Sequence, residues 1–278
     1  MILKDDHVHV VFINLESATD RLESMSQQLE GYTKDFTWER FEAVYGKAMS
    51  DEEKKEVTTP NCYKYCTDSM IGIGKSHLDI WKKQVEERIP FVLVFEDDVE
   101  IVPTFEEIVK NYIVDFDFDV LMVGHDGMIE MPHIWNLPDA LMQGKGFNYS
   151  TNDFFIGAHA YVVSLDGAKR LLEEFKDGIS YHIDAAMSGR DVKIVKAPKS
   201  IARPNFGKFE SSNTGKSILM YLVPDINIGP YPLRWSMEMP VMRIGSFDVL
   251  TIHTHFVLLM ILLLSVLVVF LRLKRVGR

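Results

Sequence analysis

The chain has 278 residues, 47% hydrophobic and 25% charged, near the globular average, so it can bury a sizeable core and general disorder is excluded. A formal net charge of −10 excludes broad affinity for nucleic acid or anionic lipid. An anionic substrate would need local Lys or Arg side chains, backbone amides or a metal to hold it. The opening, Met1 to His7, is short and polar and reads as no signal peptide, while Val8, Val10, Val11, Phe12 and Ile13 form a core-strand pattern ending at Asn14-Leu15. Glu16 to Gly31 reads as a helix with Leu22, Met25 and Leu29 at helical spacing and Gly31 as its stop. Phe36 to Tyr45 alternates loosely and predicts a second strand; Asp51 to Tyr65, charged and interrupted by Pro60, predicts a mobile loop. Cys62 and Cys66 are the two cysteines, with no second Cys pair or nearby His cluster to complete a zinc site, and read as ordinary thiols of a reducing compartment ahead of a local disulfide.

From Ser76 to Glu87, Leu78, Trp81 and Val85 share one helical face, which predicts Ser76 and His77 at a helix N-terminus, where free N–H groups can meet anions. The plainer alternative makes Ser76 an N-cap and His77 a partly buried polar residue. Phe91 to Phe95 is an apolar run suited to a strand buried on both faces, and it runs into Glu96, Asp97 and Asp98. In open α/β folds ligands bind beyond the carboxyl ends of the strands, and adjacent carboxylates there are costly unless a cation or water neutralises them. The three acids alone fit a divalent cation bridging to a diphosphate, or more simply a solvated turn before a helix that Pro103 opens.

Further along, Thr104 to Tyr112 predicts a helix, Val120 to Val123 a core strand ending at Gly124, and Leu137 to Thr151 an acceptor lid or surface loop. Phe154 to Ser164 predicts a strand pair around His159, Asp166 to Lys176 an amphipathic helix, Val192 to Val195 a strand, and Arg203 to Lys216 a polar loop. Pro224, Pro230, Pro232 and Pro240 mark a connector with little periodicity. The apolar run Phe256 to Leu271, followed by Arg272, Lys274, Arg275 and Arg278, predicts a membrane-anchor helix if Val249, Leu250 and Ile252 join it. The expected division is 1–217 for the globular domain, 218–247 for the connector, 248–273 for the anchor and 274–278 for a basic tail, with the globular part cytosolic. The positive-inside rule opposes that topology, because it favours the basic tail on the cytoplasmic side.

Several stretches, in order, resemble glycosyltransferase family 25: VFINLESATDRLESM, RFEAVYGK from Arg40, IGKSHLDIW, FVLVFEDDVEI, DVLMVG, GAHAYVVSLDGAKRLL and HIDAAM from His182. The resemblance covers roughly Val10 to Asn213 and implies a GT-A type, Rossmann-like α/β fold. It further implies a metal-dependent inverting transferase moving a hexose, commonly galactose, from a UDP-sugar to a glycan, lipid-linked or protein hydroxyl. Carried onto this chain, Glu96, Asp97 and Asp98 form the metal and diphosphate motif, with Asp98 first for coordination of Mn²⁺ or Mg²⁺. Asn14 and Arg21 line the nucleotide pocket, with Ser76 and His77 near its floor. Glu16, Ser17 and Ala18 stand where the family carries a further basic residue. Inverting transfer also needs a carboxylate to take the acceptor's proton; Asp184 is the candidate, its alternative being the N-cap of a helix starting at Ala185. His159 is a candidate metal or diphosphate ligand, ranked below both because a lone His among small apolar residues is more often a core residue. The competing readings are a membrane-tethered scaffold without catalysis and a metal-dependent phosphohydrolase.

Overall fold

The computed structural model describes residues 8–32, 37–102, 105, 117–124, 148–150, 158–180, 182–187, 190–196, 201–205, 227–228, 231–232, 240–244, 247–251 and 260–268. In chain order these give β1 (Val8–Asn14), α1 (Thr19–Tyr32), β2 (Trp38–Glu42), a 3₁₀ turn (Gly46–Ala48), α2 (Asp51–Val57), α3 (Pro60–Tyr65) and α4 (Asp68–Glu87). There follow β3 (Phe91–Glu96), β4 (Val99–Ile101), β5 (Val120–Met122), β6 (Asn148–Ser150), β7 (Ala160–Ser164), α5 (Leu165–Glu174), α6 (Ile183–Met187), β8 (Ile194–Lys196) and β9 (Ala202–Pro204). The helix expected from Thr104 to Tyr112 lies outside the described residues apart from Phe105, as do most of the expected lid and the basic tail.

Seven strands form one mixed sheet in the order β2-β1-β3-β7-β5-β8-β6. β1 pairs in parallel with β2 and β3, whereas β7 runs antiparallel to both β3 and β5. Because successive strand residues face opposite ways, β3 feeds two cores at once. Val92 and Val94 belong to the core that holds Leu78 and Trp81 of α4, Leu171 of α5 and Ile183 of α6. Leu93 and Phe95 belong to the one that holds Met25 and Leu29 of α1. The result is a mixed α/β layer structure with β3 an interior strand between β1 and β7, and its carboxyl end is where the acids stand.

Several expectations are corrected. Asp51 to Tyr65 is two helices instead of a loop: Ser50 and Glu53 form a capping box, Thr59 caps α3, and Pro60 occupies its first turn, where a missing N–H costs nothing. Cys62 and Cys66 are disulfide-bonded rather than free, since their spacing sets both sulfurs on one side of a single helical turn. The basis for reading a reducing compartment goes with them. α4 begins at Asp68, capped by Thr67, so Ser76 and His77 sit inside the helix and not at its start. Gly72 and Gly74 lie within this helix and permit close packing: a Cβ at Gly72 would lie 2.5 Å from the Val44 carbonyl oxygen. Asn148–Ser150 is an edge strand pairing with β8, and Ala202–Pro204 pairs with β4.

The chain divides into two units, Met1–Gly215 and Lys216–Arg278. The second contains two antiparallel pairs where an unstructured connector was expected: β10 (Asn227–Ile228) with β11 (Tyr231–Pro232), and β12 (Pro240–Ile244) with β13 (Phe247–Thr251). Val249 and Leu250 therefore belong to a strand and do not lengthen the apolar helix. Residues 260–268 are helical and expose their apolar side chains, yet among the described residues no helix is long and apolar enough to cross a membrane.

Candidate functional site

Glu96 is the last residue of β3, and its N–H donates to the carbonyl of His159, the residue just before β7, at 3.0 Å. The antiparallel register of β3 and β7 thus brings His159 beside Glu96, with Nδ1 and Oε2 3.1 Å apart. Asp98 follows two residues after Glu96 in the turn between β3 and β4. One ligand atom from each of Glu96, Asp98 and His159 lies within 4.8 Å of the others. The turn is pinned beyond the acids: the Asp98 carbonyl accepts from the Asn205 N–H at 2.8 Å. The Gln28 side chain of α1 bonds Val99 and Ile101 of β4 at 3.1 and 2.7 Å.

These groups perturb one another. Burial and then the neighbouring charge of Glu96 push the Asp98 carboxyl above the usual range, more than His159 and Arg21 offset. Burial alone would lower His159, but the hydrogen bond and charge of Glu96, then Asp98 and Asp184, raise it. Asp98 Oδ1 is buried without a hydrogen-bond partner. Two crowded carboxylates, one with an orphaned oxygen, and an imidazole form a donor set that fits a divalent cation; the imidazole suits Mn²⁺ better than Mg²⁺. His159 is 2% and Asp97 9% exposed, whereas Glu96 and Asp98 are half-buried, so the acidic turn is only partly solvated.

Asp97 points elsewhere. Its carboxylate accepts from Asn14 Nδ2 at 2.7 Å and Arg21 Nη1 at 2.8 Å, and the same Arg21 nitrogen lies 3.4 Å from Asp98 Oδ2. Asn14 also donates to the Ala18 carbonyl at 3.1 Å and accepts from Arg40 Nε at 3.0 Å. With its amide oxygen and nitrogen both engaged and 1% exposure, Asn14 is a buried support of the acidic turn, whereas the sequence suggested a pocket-lining residue. Arg40 was missed. Its signal was its place in the RFEAVYGK stretch, on the strand beside Asn14.

Ser76 and His77 are both fully buried in α4. Ser76 Oγ donates to the Gly72 carbonyl and accepts from the Val44 N–H, each at 2.8 Å, so it ties β2's exit to the helix. His77 Nδ1 lies 2.7 Å from the Tyr161 hydroxyl, which also accepts from Trp81 Nε1 at 3.1 Å. Burial lowers the His77 pKa from 6.5 to about 4, against a smaller opposing effect of Asp184. The unfolded chain therefore takes up this proton below about 6.5 while the folded one resists until about 4, so the contribution is intact above 6.5 and is lost as pH falls through that window. It amounts to roughly 3 kcal/mol. Urea unfolding at pH 7.5 and 4.5 is expected to show this loss in the parent and a smaller one in His77→Gln; identical losses would refute the assignment.

Asp184 is 9% exposed and lies in the first turn of α6, so it is not the N-cap of a helix beginning at Ala185. Its charge acts on His77, His159 and His182. His182, pushed down by burial, is a second imidazole there that the sequence reading quoted without giving it a role.

Comparison with known proteins bears on the same stretch. Residues 7–187 match the family model described as glycosyltransferase family 25 (LPS biosynthesis protein). A glycosyltransferase 25 family member of Aedes aegypti is 30% identical over 178 residues, 60% of this chain and 28% of its own length. Human procollagen galactosyltransferase 2 is 25% identical over 182 residues, 59% of this chain and 27% of its own length. The chain thus spans little more than a quarter of these curated relatives. A crystal structure of a galactosyltransferase in complex with donor and acceptor sugar analogues aligns at a TM-score of 0.37 and 11% identity, over 64% of this chain and 68% of that one.

Proposed function

Since the chain belongs to glycosyltransferase family 25, we propose that it is a metal-dependent inverting transferase of GT-A type, moving a hexose, galactose first, from a UDP-sugar to a glycan, lipid-linked or protein hydroxyl. The observation that carries this reading is the convergence of Glu96, Asp98 and His159 beside the carboxyl end of the buried strand β3. These three would hold Mn²⁺ or Mg²⁺, which when bound supplies a Lewis acid for the charge that builds on the departing diphosphate.

The protein's own part is to orient and to move one proton. Glu96 and Asp98 stand at the carboxyl end of β3, the position at which α/β sheets present ligand sites. Arg21 and Asn14 hold Asp97 on the other side of the turn, which keeps Asp98 directed towards Glu96 and His159. Asp184 is the base: its carboxylate takes the acceptor hydroxyl's proton as the new C–O bond forms at the anomeric carbon. The bond to the UDP oxygen breaks on the opposite face, inverting the configuration.

The full chain with UDP-galactose, a panel of hydroxyl acceptors and Mn²⁺ or a chelator is expected to release UDP only in the metal-containing samples. Metal-independent release would refute the cation assignment. Failure to bind either UDP or Mn²⁺ by calorimetry would favour a non-catalytic scaffold, and release of inorganic phosphate would favour a phosphohydrolase.

A further inference from the structure

We infer that Arg40 is a positioning residue for the metal-binding carboxylate Asp98, acting through Asn14 and Asp97. The inference rests on the cation reading of Glu96, Asp98 and His159 given above. Arg40 lies on β2, opposite Phe12 in the parallel register of β1, so its side chain reaches the end of β1, where it donates from Nε to Asn14 Oδ1 at 3.0 Å and from Nη2 to the Asn14 carbonyl at 3.4 Å. A guanidinium has donors only, so the amide oxygen of Asn14 must face Arg40 and the amide nitrogen must face the other way. That nitrogen meets Asp97 Oδ2 at 2.7 Å. Turned over, the amide would set an oxygen against a buried carboxylate, a like-with-like contact that leaves Asp97 short of a donor.

Asp97 is thereby held from two sides by two arginines, directly by Arg21 and through one amide by Arg40. Asp98 is the next residue in the same short turn. Arg21 touches only its Oδ2, and Oδ1 is left buried without a hydrogen-bond partner. Fixing Asp97 fixes the turn, and the turn sets a carboxylate oxygen of Asp98 within 4.8 Å of ligand atoms of Glu96 and His159. Residues that orient a ligand in this way commonly change metal affinity by 10–100-fold when removed.

The test measures Mn²⁺ binding to the full chain by electron paramagnetic resonance of the free ion, with no substrate present. Arg40→Met and Asn14→Ala are each expected to weaken Mn²⁺ binding about tenfold. The double variant should be no weaker than Asn14→Ala alone, because both act along one path. Arg40→Lys, which keeps the charge but not the two-point grip, should resemble Arg40→Met, and it carries the test if Arg40→Met does not fold. Parent-like Mn²⁺ affinity in the Arg40 variant, even with a lowered Tm, would overturn the inference, as would losses that multiply in the double variant. Asp98→Ala separates the two claims: if it binds Mn²⁺ normally the cation reading itself fails. If it does not bind while the Arg40 variant does, only the positioning role falls.

Discussion

Asp98→Ala is expected to lower metal-dependent UDP release about a thousandfold, the loss typical of removing a principal stabiliser of transition-state charge, while leaving the metal-free protein at least as stable as the parent. The two halves have one cause. Burial and Glu96 already hold the Asp98 carboxyl above its usual range, so its ionised form is a local liability when no cation is present. Alanine removes that repulsion and keeps the backbone bond from the Asn205 N–H to the residue-98 carbonyl, and Arg21 retains its stronger contact at Asp97. A residue kept at a cost to the fold is one whose value lies in the ligand. Rates of UDP release with Mn²⁺, set beside thermal unfolding with a chelator, check both halves. A rate close to that of the parent would remove Asp98 from the site; a large fall in metal-free stability would make it a structural residue.

The central strand and its acids were legible because both signals are local. Five apolar residues, Phe91 to Phe95, can only be buried on two faces, and the acids that follow have only the sheet's rim to occupy. What the acids do individually was less legible. In the turn after β3, Asp97 engages Asn14 and Arg21 while Glu96 and Asp98 converge with His159, so the acid expected to bind the donor is a buried anchor and the other two form a carboxylate pair. The partner of the cation pair, His159, is supplied by the β3–β7 pairing, a long-range contact that no local periodicity encodes.

Helix boundaries failed for a similar reason. Gly72 and Gly74 have the local signature of a break, but their function is to admit the Val44 carbonyl and the Ile179 side chain close to α4. Only the tertiary neighbours distinguish those two uses of glycine. Asp51 to Tyr65 was misjudged because charge was weighed above its capping residues, Ser50 with Glu53 and Thr59 with Pro60, all of which are readable in the chain.

Asp184→Asn is expected to leave UDP and Mn²⁺ binding intact and to slow sugar transfer by ~10²–10⁴-fold, the range that a positioned base contributes. The substitution preserves shape, so α6 and the packing of Ile183, Ala186 and Met187 in the core should survive it. Metal affinity should not fall. Asp184 is not among the three residues whose ligand atoms converge. A residue lining the donor site would behave differently, because its loss would weaken UDP binding along with transfer. Calorimetry with UDP and Mn²⁺, paired with transfer rates at saturating donor, separates the two. Undiminished transfer would assign the proton to another group, and lost UDP binding would move Asp184 from the acceptor side of the reaction to the donor side. The pairing matters because the proposed mechanism sets Asp98 and Asp184 at opposite ends of one displacement, with Asp98 serving the leaving diphosphate and Asp184 the entering hydroxyl. Only the first should therefore abolish metal binding, although both variants suppress the product.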